Sequence, residues 1–363
     1  MKNTKERTKM YSHLIDLNDY SVEQWNEIIK LARDIKSNPH IYEGACTGKI
    51  MGTLFYEPST RTQMSFQSAM LRLGGGIIGF DNPQTSSIAK GENLKDTTKT
   101  VSGYSDIMVM RHHLEGAAKA AALTADCPVV NAGDGGHLHP TQTLTDLLTL
   151  TAEKRLTDLN IGVCGDLKNG RTVHSLVRAL SKYEGNKFTF ISTKALGLPE
   201  YIRKELIEGG AECADVSSIE EALLDLDVLY MTRIQKERFA SDEEYERQKD
   251  VFVLNARKLK AAKKDLAVLH PLPRVDEITH EVDGDPRALY FKQANYGMYA
   301  RMALILIILN YDGFKPKPLF EGESGGLKCA NKRCIVNNEK GLKQSFVGGS
   351  DVLVCEYCEE RVI

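Results

Sequence analysis

Short apolar runs alternate with longer amphipathic stretches along most of the chain. The apolar runs have the length of buried strands and lie at 50–56, 77–80, 107–110, 128–131, 161–164, 188–192, 228–231 and 267–269. The stretches between them place apolar residues three or four positions apart, as a helix with one buried face requires. They predict helices at 60–73, 94–102, 116–125, 141–154, 172–183, 200–208, 256–264 and 300–309.

Strands that alternate with helices predict parallel sheets with helices on both faces. We therefore predict an α/β fold with two parallel-sheet α/β domains, at 1–150 and 151–291, and a small C-terminal β domain at 328–363. Residues 292–311 are predicted to contain a helix that returns to the first domain. Residues 312–327 are rich in Gly, Pro and charged residues and are predicted to form a linker.

Composition and charge exclude several classes of protein. The 363 residues are 42% hydrophobic and 26% charged, as in a globular chain long enough for two or three domains. With 47 Lys and Arg against 49 Asp and Glu, the formal charge of −2 gives no general attraction to nucleic acid or anionic lipid. The longest apolar run, 302–309, is too short to cross a bilayer, and we identify no secretion signal. We expect a cytoplasmic protein that binds neither nucleic acid nor membrane.

The cysteines divide into a scattered group of four and two close pairs near the C-terminus. The paired residues are Cys329, Cys334, Cys355 and Cys358. In a reducing compartment this spacing is typical of two knuckles that bind one structural Zn²⁺ through four thiolates. The segment 328–363 is too short to hold a core without such a metal, so we predict a zinc-binding domain there.

The residues Ser59-Thr60-Arg61-Thr62 provide the strongest chemical signal in the first domain. They lie between a predicted strand and a predicted helix, where the first turn of the helix has free N–H groups and its dipole favours an anion. The same residues would also suit a simple helix cap with a surface arginine. Arg61 between two threonines favours phosphate binding, because its guanidinium adds a charged fork of donors.

Five further motifs follow in chain order. They are Val109-Met110-Arg111-His112, His139-Pro140-Thr141-Gln142, residues 166–175, residues 230–235, and His270-Pro271-Leu272-Pro273-Arg274. Together with Ser59-Thr60-Arg61-Thr62 they resemble, in order and spacing, the catalytic chains of the aspartate carbamoyltransferase family. The resemblance covers about residues 10 to 311. Six motifs in one order are far more specific than any one of them.

The resemblance implies an enzyme of pyrimidine biosynthesis. The family transfers the carbamoyl group of carbamoyl phosphate to the α-amine of L-aspartate, giving N-carbamoyl-L-aspartate and phosphate. The amine attacks directly, so no covalent enzyme intermediate is expected. Because the two substrates bring a phosphate and two carboxylates, we expect a site with several cations and few acidic groups.

The resemblance also implies roles for individual residues. The catalytic residues would be Arg61, Thr62, Arg111 and His139. Carbamoyl phosphate would be bound by Ser59, Thr60, Arg61, Thr62, Ser86, Lys90, Arg111, His139, Gln142, Pro271 and Leu272. Aspartate would be bound by Lys90, Arg171, Thr172, Arg233 and Gln235. His270 is interpreted as a packing residue.

In the family, the residues that correspond to Ser86 and Lys90 reach into the active site of a neighbouring subunit. The resemblance therefore implies a homotrimer with shared active sites, although by composition alone 86–92 is simply a polar loop. Two alternatives stay open: a catalytically idle paralogue that acts as a structural or regulatory subunit, and a carbamoyltransferase for another amino acid. Ornithine enzymes usually carry His-Cys-Leu-Pro where this chain has His270-Pro271-Leu272-Pro273, and Arg233 would repel an ammonium group. Both features favour aspartate.

The C-terminal segment resembles the zinc domain of the regulatory chain of the same family. In the family that domain is on a separate polypeptide, follows a nucleotide-binding domain and docks on the catalytic chain. Here only the linker 312–327 separates it from the catalytic part. We interpret the chain as a fusion, natural or engineered, of a catalytic chain with the docking domain and without the nucleotide-effector domain. A larger assembly through the zinc domain is left open.

Overall fold

The computed structural model describes residues 12–234, 241, 243, 245–246, 252–310, 318–322, 326–349 and 352–362. The chain forms two compact units, here called the first and the second unit. The first unit comprises Met1–Thr141 and Arg301–Ile363, and the second comprises Gln142–Ala300. Within the described ranges, every helix is too short or too polar to span a membrane.

The first unit is built on a four-stranded parallel sheet with the strand order β2-β1-β3-β4. Its strands are β1 Ile50–Phe55, β2 Gly76–Phe80, β3 Ile107–His112 and β4 Val129–Asp134. Its helices are α1 Val22–Ser37, α2 Thr60–Arg72, α3 Leu94–Ser102, α4 Ala117–Ala122 and the start of α5 Pro140–Glu153. Strands β3 and β4 are buried throughout because helices cover the sheet, whereas the edge strand β2 is largely exposed.

The second unit is built on a five-stranded parallel sheet with the strand order β7-β6-β5-β8-β9. Its strands are β5 Asn160–Cys164, β6 Lys187–Ile191, β7 Glu212–Val216, β8 Val228–Met231 and β9 Ala267–Leu269. Its helices are α6 Arg171–Leu180, α7 Glu200–Glu208, α8 Ile219–Ala222, α9 Ala256–Leu259 and most of α10 Tyr290–Asn310. In both parallel sheets the carboxyl ends of the strands lie at one edge, where ligands of α/β proteins usually bind.

The C-terminal region contains the one-turn helix α11 Ile335–Asn338 and an antiparallel hairpin of β10 Phe346–Gly348 and β11 Leu353–Cys355. It belongs to the first unit, where its apolar side chains pack in one hydrophobic cluster with the alanines of α4. The predicted fold class is confirmed: two parallel-sheet α/β domains are followed by a small β domain.

Two helices differ most in length from their predicted ranges. Helix α9 ends at Leu259, whereas the sequence predicts a helix over 256–264. Beyond it the Ala261 and Ala262 N–H groups donate to carbonyls three residues earlier instead of four, so the α-helical bonding pattern stops. Helix α10 starts at Tyr290 instead of residue 300. Its additional turns are fixed by buried polar contacts, since Gln293 and Tyr296 hydrogen-bond to acidic side chains of α5.

Candidate active site and metal centre

The predicted phosphate-binding residues follow strand β1 at the carboxyl edge of the first sheet. Ser59 is the N-cap residue of α2, but its side chain makes no capping hydrogen bond to the helix. The first N–H groups of this 13-residue helix therefore keep their donor capacity, and the helix dipole favours an anion beside them. Thr60 and Arg61 open the helix, and the buried Thr62 follows. This arrangement is suited to a phosphate group.

Arg111 and His139 approach each other across Gly133. Arg111 is on β3 and His139 directly precedes α5, and both are buried. Gly133 has a φ of +118°, and a Cβ atom there would lie 2.6 Å from Arg111 Nη1 and 3.4 Å from His139 Cδ2. Partial desolvation, and then the charge of Arg111, lower the pKa of Arg61, so these two guanidinium groups are close. The structure thus brings Arg61, Arg111 and His139 into one cluster.

An acidic side chain lies within this cationic cluster, contrary to the expectation of few acidic groups. Glu57 Oε2 is 2.8 Å from Arg111 Nη2, and Arg111 Nη1 donates to the Ala132 carbonyl at 3.3 Å. Burial lowers the pKa of Arg111, and the charge of Glu57 opposes that change. Sequence reasoning missed Glu57, although its position two residues after the end of β1 and two before Ser59 was a usable signal.

The structure does not bring Ser86 or Lys90 into the cluster of their own chain. Ser86 donates its hydroxyl to the Pro83 carbonyl at 2.7 Å and accepts from the Ile88 N–H at 3.3 Å, so it is engaged within its own loop. Lys90 is exposed at the end of the short 3₁₀ helix Ser87–Lys90. Across the part of the chain that the structure describes, no hydrogen bond or ion pair joins either residue to Arg61 or Arg111.

In the second unit, the loops after β5 and β8 leave the same edge of the sheet. The two strands pair in parallel with Cys164 opposite Met231. A Cβ atom on the next residue, Gly165, would lie 2.3 Å from the Thr232 carbonyl oxygen, and Gly165 has a φ of +120°. Glycine is required here because the two loops run side by side. Any residues that these loops carry are therefore held close together.

Three of the predicted aspartate-binding residues follow these two strands, whereas Lys90 lies in the first unit. Arg171 and Thr172 open helix α6, and the preceding turn is held by Asn169, which donates to the buried Asp166 carboxylate from its backbone N–H at 3.0 Å. Arg233 follows strand β8 and is half-buried. Gln235, the remaining predicted residue, lies outside the described residues.

Pro271 and Leu272 follow β9, which neighbours β8 in the sheet. The Leu272 N–H donates to His270 Nδ1 at 2.8 Å, and His270 Nε2 lies 2.7 Å from Glu277 Oε1. Both ring nitrogens of the buried His270 are therefore hydrogen-bonded, so its interpretation as a packing residue is incomplete. The last predicted residue, Gln142 on α5, donates its side-chain amide to Asp146 at 2.8 Å.

The four C-terminal cysteines form one buried cluster. Their Sγ atoms all lie within 4.8 Å of one another. The Cys329–Cys358 and Cys334–Cys355 Sγ distances are 3.6 and 3.9 Å. Thiolates on a tetrahedral Zn²⁺ lie about 3.8 Å apart, and a disulfide would need about 2.05 Å. The donor set therefore fits a closed tetrathiolate zinc site, which is structural because no coordination position is left for a substrate.

The cysteine-bearing domain docks on the first unit of its own chain. The Glu115 N–H donates to the Arg333 carbonyl at 3.1 Å, and the Ile335 N–H donates back to the Glu115 carbonyl at 2.9 Å. On the adjacent α4, Lys119 Nζ donates to the Glu356 carbonyl at 2.6 Å. These contacts join the metal-binding knuckles to the segment that follows Arg111.

Comparison with known proteins identifies the class of the chain. Sequence models for the carbamoyl-P binding domain and the Asp/Orn binding domain of aspartate/ornithine carbamoyltransferase match residues 12–152 and 157–308. A model for the metal binding domain of the aspartate carbamoyltransferase regulatory chain matches residues 324–362. The chain belongs to the aspartate/ornithine carbamoyltransferase family, and its C-terminal domain binds one structural zinc ion through four cysteines.

Within that family, the similar proteins are aspartate carbamoyltransferases. The chain is 58% identical over 299 residues to the aspartate carbamoyltransferase catalytic subunit of Clostridium perfringens, covering 82% of this chain and 97% of that protein. The catalytic subunit of M. jannaschii aspartate transcarbamoylase has a TM-score of 0.78 at 44% identity, covering 83% of this chain and 99% of that one. Aspartate transcarbamoylase from Trypanosoma cruzi, in complex with N-(phosphonacetyl)-L-aspartic acid, has a TM-score of 0.77 at 37% identity, covering 82% of this chain and 95% of that one.

Proposed function

We propose that this protein transfers the carbamoyl group of carbamoyl phosphate to the α-amine of L-aspartate, giving N-carbamoyl-L-aspartate and phosphate. The observation that carries the proposal is the cluster of Arg61, Arg111 and His139 beside the start of α2. Such a set of donors suits a phosphate and a carbonyl oxygen that becomes negative as the amine attacks. The relatedness to aspartate carbamoyltransferase catalytic subunits supports the same substrates.

In this proposal the first unit binds carbamoyl phosphate. Ser59, Thr60, Arg61 and Thr62 hold the phosphate with hydroxyls, N–H groups and one guanidinium. Arg111 and His139, with Thr62, donate to the carbonyl oxygen. The neutral amine nitrogen bonds to the carbonyl carbon, and the bond from that carbon to the bridging oxygen breaks. Phosphate leaves with the bonding electrons and takes up the proton that the attacking nitrogen loses. Orientation and charge stabilisation account for the rate, and no covalent enzyme intermediate forms.

The second unit binds aspartate in this proposal. Arg171 and Arg233 grip its two carboxylates, assisted by Thr172 and Gln235, and the close approach of the loops after β5 and β8 supports a joint role for the two arginines. A second positive charge on the acceptor, as in ornithine, would be repelled by Arg233. Gln142 and the backbone carbonyls of Pro271 and Leu272 accept hydrogen bonds from the carbamoyl amide.

We propose that the working enzyme is a homotrimer in which Ser86 and Lys90 complete the active site of a neighbouring subunit. The exposed edge strand β2 and the outer side of α2 support this assembly, since Met64, Leu71 and Ile78 expose 63%, 60% and 37% of their surface. Exposed apolar side chains on an open edge strand and on a neighbouring helix are typical of an interface.

Mixing two inactive variants tests the shared site. Lys90→Gln and Arg111→Ala would each be inactive alone, but mixed trimers rebuilt from both would contain some sites with neither substitution. Recovery of activity on mixing is the expected result. No recovery, although mass measurement shows mixed trimers, would contradict the sharing of sites between subunits.

The direct test of the function is an assay of carbamoyl aspartate formation by the purified chain. Carbamoyl phosphate is supplied with aspartate, and ornithine and other amino acids are tried as acceptors. We expect turnover with aspartate alone, which would place the enzyme in pyrimidine biosynthesis. We propose the reducing cytoplasm as its compartment because the zinc site needs four thiols. The absence of any turnover in a correctly assembled, zinc-loaded protein would indicate the idle paralogue instead.

A further inference from the structure

A buried carboxylate in the second unit lies at the centre of a hydrogen-bond network. Asp146 is fully buried on α5. Its Oδ1 accepts from Gln142 Nε2 at 2.8 Å and from Gln293 Nε2 at 2.6 Å, and its Oδ2 accepts from the Tyr230 hydroxyl at 3.1 Å. Three elements, α5, α10 and β8, therefore meet at one side chain. A buried carboxylate with several donors is costly to remove, because those donors would lose their partner.

Asp146 decides which end of the Gln142 amide is available to a ligand. An ionised carboxylate only accepts hydrogen bonds, so it attracts Nε2 and repels Oε1. Gln142 must therefore turn its NH₂ group toward Asp146 and its carbonyl oxygen the other way. That oxygen is an acceptor, which is the partner that a carbamoyl NH₂ group needs.

The same carboxylate also fixes the loop after β9 through Gln293. Because Gln293 Nε2 is held by Asp146, its Oε1 is left to accept the His270 backbone N–H, which it does at 2.9 Å. His270 Nδ1 in turn accepts from the Leu272 N–H at 2.8 Å. Leu272 has a φ of +52°, which is uncommon for a residue with a side chain and is held here by these contacts. The direction of the Pro271 and Leu272 carbonyls follows from this chain of bonds.

We propose that Asp146 is a positioning residue for recognition of the carbamoyl NH₂ group. Through Gln142 it orients one acceptor, the side-chain oxygen of Gln142. Through Gln293 and His270 it orients a second set, the backbone carbonyls of Pro271 and Leu272. Both sets face the N–H bonds of the carbamoyl group. Asp146 itself does not touch the substrate. Its role is to make the site select an acyl phosphate that carries an amine over one that carries a methyl group. This inference rests on the proposed function, because it deepens the role given there to Gln142, Pro271 and Leu272.

Acetyl phosphate provides the probe, since it has a methyl group where carbamoyl phosphate has NH₂. The measured quantity is the ratio of the inhibition constant of acetyl phosphate to the KM of carbamoyl phosphate. A site that loses its oriented acceptors loses preference for the ligand with N–H groups, whereas general damage weakens both ligands alike. For Asp146→Leu we expect this ratio to fall about tenfold, as the loss of one to two hydrogen bonds implies. Asp146→Asn keeps an oxygen that can accept from both glutamines and should keep most of the ratio.

A matched control is Asp227→Leu in the same unit. Asp227 is also a buried carboxylate with several donors, accepting from the Asn160 N–H at 3.0 Å and from Lys263 Nζ at 2.9 Å, but it is not connected to Gln142 or His270. This variant should lose stability and leave the ratio unchanged. If Asp146→Leu does not fold, Gln293→Met decides, because it cuts only the branch to His270 and should lower the ratio about threefold.

An unchanged ratio in Asp146→Leu, or in Gln293→Met where only that variant folds, would overturn the positioning role. That result is distinct from failure of the proposed function, which would show as absence of carbamoyl aspartate formation in the unaltered protein.

Discussion

Arg111 is held by Glu57 through an ion pair of 2.8 Å between Nη2 and Oε2. The Glu57 side chain is 35% exposed and that of Arg111 is 11% exposed, so the pair joins a partly exposed acidic side chain to a largely buried guanidinium. An anion that approaches Arg111 therefore meets a negative charge already in place. The pair keeps a buried guanidinium compensated until a substrate arrives.

Glu57→Gln should strengthen the binding of inorganic phosphate. Removal of one partly exposed negative charge beside the site is worth up to about 1 kcal/mol, so we expect affinity to rise about two- to fivefold. Titration calorimetry at low ionic strength measures this change, and Glu27→Gln on α1 is the control for a general change in net charge. Equal or weaker phosphate binding in Glu57→Gln would show that the carboxylate does not compete with the ligand.

Arg61→Ala should abolish phosphate binding and lower kcat by at least about a hundredfold, since one preorganised charged donor is lost. The matched control is Arg72→Ala at the other end of the same helix. Arg72 is exposed. Within the described residues its side chain donates one hydrogen bond, to Ser68 Oγ at 3.3 Å. Steady-state kinetics of the two variants separate the site from the helix. Near-normal turnover in Arg61→Ala would contradict its assigned role.

Two strands that are buried along their whole length have the bounds that the sequence predicts. The bounds of β8 and β9 coincide with the apolar runs at 228–231 and 267–269 because every residue of these inner or sheltered strands is buried. Strand β7 was not predicted, since this edge strand exposes most of its residues and has no apolar run. Helix α1 was also missed, although its Ser21–Gln24 capping box and buried Trp25 were readable signals.

The residues of the candidate site also differ in how easily the sequence predicts that they meet. Ser59 to Thr62 follow β1 and Arg111 lies near the carboxyl end of β3, so their meeting at one sheet edge is predictable from a parallel topology. The pairing of Asp146 with Gln293 joins residues 147 positions apart in the sequence and depends on the packing of α5 and α10. No local pattern encodes such a contact. Sequence reasoning therefore finds the groups that face a ligand more easily than the groups that orient them.

The stability of the fold should fall in acid partly because of His112. Burial, and then the neighbouring His113, lower the pKa of His112 from 6.5 to about 3. Above pH 6.5 neither the folded nor the unfolded state protonates this ring. As pH falls from 6.5 toward 3, the unfolded state binds a proton that the folded state excludes, so stability drops by up to about 1.4 kcal/mol per pH unit.

Urea unfolding of His112→Asn across this pH window measures the effect. The variant should show a flatter dependence of its unfolding free energy on pH than the parent protein, whatever its stability at pH 7. His40→Asn, at an exposed turn, should keep the parent slope. Parallel slopes for the parent and His112→Asn would mean that the ring is protonated in the folded state.

Loss of zinc should destabilise the chain without removing its chemistry. Cys334→Ser breaks the tetrathiolate, unfolds the domain around it and uncovers the apolar face of α4, so we expect the Tm to fall by about 5 °C or more. Activity should persist at low temperature. A match of 299 residues, which is 82% of this chain, already covers 97% of the Clostridium perfringens catalytic subunit, so a catalytic subunit of this kind does not need the remaining residues. Cys127→Ser, at a buried cysteine outside the cluster, should keep one zinc per chain. Metal analysis and calorimetry distinguish the two variants, and a full zinc content in Cys334→Ser would exclude it as a ligand.

Docking of the zinc domain depends on a single glycine in front of α4. Gly116 has a φ of +81°, and a Cβ atom there would lie 2.6 Å from both Cβ and the carbonyl oxygen of Tyr357. Gly48 has nearly the same conformation, with a φ of +79°, but no atom lies within 4 Å of its Cβ position in the described structure. Gly116→Ala and Gly48→Ala therefore share the cost of a left-handed alanine, and only the first adds a clash with the docked domain.

Gly116→Ala should destabilise the protein by about 1 to 3 kcal/mol more than Gly48→Ala, the usual cost of forcing an extra carbon into a packed contact. Denaturant unfolding gives the two values, and zinc content is measured in parallel because the four cysteines are untouched and should still bind the metal. Undocking with zinc retained would establish that the glycine serves the interface and not the metal site. If the two alanine variants are equally stable, the zinc domain does not rest on its own α4 in solution.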